Sequence, residues 1–144
     1  MFTIKRILPI TLILGALLTP LLKSQANESK IEPQKIAIQV SKPRHVKGVL
    51  KMLQDMKADK TKLRYTVAKV VIHGQAVHEV KKDSPLKDLI IQSKKNNVTV
   101  AVCNEAITRL KIPKEDLLPM VEVVGNAFYE MLRLKSLGYN ALEL

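Results

Sequence analysis

From residue 35 to the end of this 144-residue chain, short runs of β-branched and small apolar residues alternate with segments of helical period. That alternation limits the fold more than any other feature. Parallel strands need a crossover that returns the chain to the same end of the sheet, and a helix is the usual crossover. Five runs read as strands: KIAIQVS (35–41), LRYTVAKVVIHG (63–74), VTVAVC (98–103), MVEVVG (120–125) and the closing YNALEL (139–144). Lys42-Pro43 stops the first and Gly74 the second, while Val70, Val71 and Ile72 suggest burial on both faces.

The intervening segments carry the other period. After Arg44, residues Val46, Val49, Leu50, Leu53 and Met56 fall on one helical face, with Lys47, Lys51 and Lys57 elsewhere. QAVHEVKKD (75–83) has no clear period and reads as a loop. Ser84-Pro85 then predicts a helix start, serine as cap and proline at the first helical position. Its inner face is Leu86, Leu89, Ile90 and Ser93, and Lys94-Lys95 suit its negative end. Asn104 is placed as the cap of NEAITRL, and KEDLLP (114–119) as a short turn. Asn126 is placed as the cap of a last helix whose inner side holds Phe128, Met131, Leu132 and the stem of Lys135, with Gly138 ending it. The expected fold is a single three-layer α/β/α domain with a mainly parallel five-stranded sheet.

The N-terminus is of another kind. Lys5 and Arg6 precede an uncharged apolar run from Ile7 to Leu22, and Ser24-Gln25-Ala26 offers small residues where a signal peptidase reads. Residues 1–26 are therefore expected to be a secretory signal, 27–34 a flexible leader and 35–144 the folded domain. The expected location is outside the cytoplasm, periplasmic or secreted. Beyond Ala26 the chain holds 21 basic and 13 acidic residues. That balance favours anionic partners and at most a weak contact with a membrane surface. It does not favour nucleic acid, because the lysines are scattered and aromatics make up only 3% of the chain.

Chemistry in an open parallel sheet gathers beyond the carboxyl ends of the strands. Ser41, His73-Gly74 and Cys103-Asn104 occupy three such ends. Cys103 is the only cysteine, so no internal disulfide and no dithiol pair can form. At a helix N-terminus the thiolate is favoured, whereas the adjacent Glu105 opposes it. The plainer reading is a buried cysteine acting as a small apolar residue. His73 is a candidate proton acceptor or hydrogen-bond partner for a thiolate, and the plainer reading is a strand-end histidine bonded to backbone. His45, His73 and His78 have no metal-ligand spacing, and neither a Gly-rich phosphate loop nor a GxSxG elbow occurs. No metal and no cofactor is expected.

Three stretches in this order, VVIHGQAV (70–77), NNVTVAVCNEAI (96–107) and IPKEDLLPMVEVVGNAFYEMLRLKSLGY (112–139), resemble the DsrE/DsrF-like family of small sulfur-relay proteins. The resemblance implies a compact α/β domain that assembles into homo- or hetero-oligomers. It also implies that the cysteine after the third strand, here Cys103, carries sulfur as a persulfide and passes it to a partner protein or small thiol. His73 falls in the strand-end HG element. The chain departs from the relay pattern in its export signal and in Asn104-Glu105, where small apolar residues usually follow the cysteine. Two function classes are thus on the page. One is a sulfur carrier or sulfurtransferase acting through Cys103; the other is a non-catalytic oligomeric binding protein of the cell envelope with a structural cysteine.

Overall fold

A computed structural model describes residues 31–144; the signal segment and the first half of the expected leader, 27–30, lie outside the described residues. The elements are β1 (Gln34–Val40), α1 (Pro43–Lys57), β2 (Tyr65–Ile72), a 3-10 helix (Gly74–Val80), α2 (Lys87–Lys95), β3 (Val98–Cys103), α3 (Asn104–Arg109), a 3-10 turn (Lys114–Asp116), β4 (Glu122–Val124), α4 (Ala127–Ser136) and β5 (Asn140–Glu143). The strand order is β4-β3-β2-β1-β5, and every pairing is parallel.

That order follows from handedness. From β1 through β4 the chain steps in one direction, so right-handed crossovers put α1, α2 and α3 on one face. The step from β4 back to β5 runs the other way across the whole sheet, which puts α4 alone on the opposite face. Side chains alternate along each strand, so Ile38, Val40, Val70, Ile72, Val100 and Val102 face the three-helix layer. Ala37, Gln39, Lys69, Val71, His73, Ala101 and Cys103 belong to the α4 face. β1, β2 and β3 are almost wholly buried, in keeping with their continuous β-branched runs.

Beneath α4 the sheet holds a charged cluster. Lys69, 7% exposed, lies 2.8 Å from Glu130 and 2.9 Å from Glu122, and Arg133 pairs with Glu130 at 2.8 Å. Two-sided pairing is what makes a buried ammonium tolerable. It also holds the Glu130 carboxyl down to about 2, chiefly through the Arg133 hydrogen bonds and then Lys69, against the opposing effect of burial.

Several local expectations are corrected. The segment expected to be a loop is a 3-10 helix that buries Ala76, Val77 and Val80, a three-residue periodicity too short to register as an α pattern. Ser84 does not cap α2 directly. Its Oγ accepts from Leu86 N at 3.1 Å in a turn that precedes the helix start at Lys87. Asn104 is the first residue of α3, not its cap; Cys103 holds that position without a side-chain cap bond. Asn126 does cap α4, its Oδ1 accepting from Phe128 N and Tyr129 N. The inner face of α4 is Ala127, Glu130, Met131 and Leu134, whereas Phe128 is 58% and Leu132 69% exposed. A buried glutamate displaced the apolar reading by one position around the helix, because the sheet beneath offers Lys69.

Candidate functional site

The three strand ends singled out from sequence do meet, since β1, β2 and β3 are neighbours. Ile72 pairs with Val102, so the next residues, His73 and Cys103, leave adjacent strands at the same level and on the same face. The start of α4 and its preceding Gly125-Asn126 turn close over this edge. Cys103 Sγ lies 4.0 Å from the Gly125 carbonyl oxygen, and Glu105 N donates to the same oxygen at 3.4 Å. Asn126 Nδ2 donates to Glu105 Oε2 at 2.8 Å, so Glu105 serves the β4–α4 turn. Cys103 is a free cysteine and 5% exposed.

His73 is engaged elsewhere. Gln39 Nε2 donates to His73 Nε2 at 2.9 Å, and the imidazole meets the Phe128 ring edge-on at 5.4 Å between centroids. With the amide nitrogen donating, the ring proton lies on Nδ1; with the amide the other way round, Nε2–H donates to the amide oxygen instead. Burial lowers the pKa of His73 from its usual value; Glu143 acts against that shift and Arg109 with it. Ser41 Oγ donates to the Leu144 carbonyl at 3.0 Å. Gly74 adopts φ +57°, and a Cβ there would stand 3.1 Å from the Ser41 carbonyl oxygen. The HG element is thus a tight backbone approach of β2 to β1, with the histidine turned toward Gln39.

Around His73 opens a cavity of about 280 Å³, lined by Gln39, Ser41, His73, Phe128, Glu143 and Leu144. Cys103 lies outside this lining. Gln39 and Glu143 were not singled out from the sequence, and Phe128 was named only as an inner residue of the last helix. Gln39 was legible in principle, as the one polar residue inside the apolar run Ile36–Val40. Phe128 and Glu143 depend on where α4 and β5 dock, for which no local signal exists. Among the described residues, no group of three or more His, Cys, Asp or Glu could hold a metal ion.

Known proteins place the domain in context. Residues 34–144 match the family described as DsrE/DsrF-like. No curated protein matches. Among solved structures, a protein of unknown function from Methanobacterium thermoautotrophicum, MTH1491, is similar at a TM-score of 0.67 and 16% identity, covering 77% of this chain and 99% of that one. A conserved protein of unknown function from Bacteroides thetaiotaomicron, BT1422, gives 0.60 at 14% identity over 77% and 95% of the two chains. The ychN protein from E. coli gives 0.54 at 13% identity over 78% and 100%. At these identities the likeness is one of fold.

Proposed function

The chain belongs to the DsrE/DsrF-like family, and from that premise we propose that it is an exported sulfur carrier in which Cys103 holds a sulfane sulfur as a persulfide. The observation that carries this reading is the position of Cys103, at the carboxyl end of β3 inside the matched region, beside the strand ends of β1 and β2. The Cys103 thiolate attacks the outer sulfur of a donor persulfide R–S–SH. A sulfur–sulfur bond forms at Cys103 as the donor's breaks, and the donor leaves as the thiolate RS⁻. An acceptor thiolate then attacks that outer sulfur, takes it away and restores the Cys103 thiolate, so the cycle needs no external oxidant or reductant.

Loading requires the Gly125–Asn126 turn to open, because Cys103 is 5% exposed. The same burial supports a second reading, an oligomeric binding protein with a structural cysteine. Intact-mass measurement after incubation with a low-molecular-weight persulfide separates the two. One added sulfur, removed by dithiothreitol and absent from Cys103→Ser, is expected for the carrier. An unchanged mass under conditions where the unfolded chain is loaded sinks it.

Self-assembly belongs to this proposal. Phe128, Tyr129 and Leu132 are 58%, 69% and 69% exposed on α4, the sole helix on its face among the described residues. Such a cluster on a soluble domain supports an interface. Export is read from the charged-then-apolar N-terminus and is tested by fractionating cells that express the full chain. Recovery of the uncleaved chain in the cytoplasm would refute it.

A further inference from the structure

Glu105 holds the turn that closes over Cys103 at two points. Its backbone N–H donates to the Gly125 carbonyl oxygen at 3.4 Å, and its Oε2 accepts from Asn126 Nδ2 at 2.8 Å. The same Gly125 oxygen lies 4.0 Å from Cys103 Sγ, so whatever keeps Gly125 in place also keeps the thiol covered. Register explains the closeness. Cys103 pairs with Val124 on the last rung between β3 and β4, and Gly125 is the next residue along.

Hydrogen bonding fixes the orientation of the Asn126 amide. Its Oδ1 accepts from Phe128 N and Tyr129 N, both backbone donors, which leaves Nδ2 to face the Glu105 carboxylate. One side chain therefore ties the start of α4 to the start of α3. Packing around this tie is sparse. Gly125 is exposed, and a Cβ built on it would meet nothing within 4 Å. Its outward movement is opposed by hydrogen bonds rather than by packed neighbours. Helix α4 itself stays on the sheet through Met131, Leu134 and the Glu130–Lys69 pair.

We infer that Glu105 is a latch: its bond to Asn126 holds the Gly125 turn shut over Cys103 and sets how often the thiol meets solvent. Glu105 is thus a positioning residue for sulfur transfer and acts through the turn. The latch deepens the sulfur-carrier reading and rests on it for its purpose alone. Under that reading, a closed turn shields the persulfide from stray thiols between loading and delivery.

The test measures access to the thiol with N-ethylmaleimide, which needs no sulfur donor. Its outcome is therefore separate from that of persulfide loading. Cys103 is the only cysteine, so intact mass reports its labelling in the native protein at neutral pH, in water and at low urea. Glu105→Ala keeps the backbone N–H and loses the acceptor. It should label about tenfold faster than wild type, as loss of one hydrogen bond to a charged group implies. The rate should stay flat across low urea, the mark of local opening rather than global unfolding. Loss of a carboxylate near a thiol would by itself favour the reactive thiolate. Glu105→Gln controls for this, since it removes the charge equally but keeps an acceptor for Asn126. It should stay within about threefold of wild type, as exchange of a charge-assisted bond for a neutral one implies. A Glu105→Ala rate equal to wild type would overturn the latch. So would a Glu105→Gln rate as high as that of Glu105→Ala, or labelling that climbs with urea from the lowest concentrations.

Discussion

At the scale of single residues, the buried charges carry the clearest consequences. Glu130 is held down to about 2 in the folded chain, against an ordinary 4.5. A depressed carboxyl contributes stability that is complete above its unfolded value and is lost as pH falls toward its folded one. Between about pH 5 and pH 2 the protein should therefore lose on the order of 3 kcal/mol from this group, a loss visible in urea unfolding at stepped pH. Glu130→Gln should remove most of that acid dependence. It should also cost about 3 kcal/mol at neutral pH, because Lys69 keeps only its Glu122 partner. A variant whose stability retains the wild-type slope in acid would show that the cluster is not the source. Cys103 gives the contrasting case. Its place at the end of a strand was readable from VTVAVC followed by polar residues. Its burial is set by the Gly125 turn, 22 residues away, and no local pattern encodes that.

At the scale of elements, two joints deserve separate tests. The β2 exit needs Gly74, both for its φ of +57° and because a Cβ would crowd the Ser41 carbonyl at 3.1 Å. Gly74→Ala should destabilise by about 1–3 kcal/mol in thermal or chemical unfolding, the cost of a strained left-handed residue. A neutral result would mean that the β1–β2 approach relaxes freely. The outer face of α4 is the proposed subunit interface. Leu132→Glu should lower the molecular mass measured by light scattering while leaving the unfolding midpoint of the dissociated chain nearly unchanged, because exposed side chains contribute little to monomer stability. An unaltered mass would remove this face from the interface. The sequence placed Leu132 on the inside, since an apolar count alone prefers Phe128, Met131 and Leu132 to a stripe containing Glu130. Only the Lys69 side chain, arriving from another element, makes the glutamate an inner residue. Helices packed by purely apolar stripes were legible for the same reason that α4 was not. In α1, Val46, Val49, Leu50, Leu53 and Met56 are all buried as their spacing implies.

At the scale of the whole molecule, strict β-α alternation was enough to imply a parallel sheet but not the strand order. Alternation is compatible with several orders, and the direction of each crossover depends on which edge of the growing sheet offers the better burial. The observed order makes the sheet unequal. β2 and its neighbours β1 and β3 are covered on both faces, whereas all four β5 residues are exposed and β4 has only three residues. Local opening costs least where few apolar contacts are lost. Amide hydrogens of β1, β2 and β3 should therefore exchange only through global unfolding, with protection that tracks denaturant stability. Those of β5 should exchange through fraying that denaturant barely affects. Mass-resolved hydrogen exchange across a urea series distinguishes these regimes. If β5 instead exchanged in step with β2, the edge would be protected by a neighbouring subunit, which shifts the expected interface from α4 to the sheet edge.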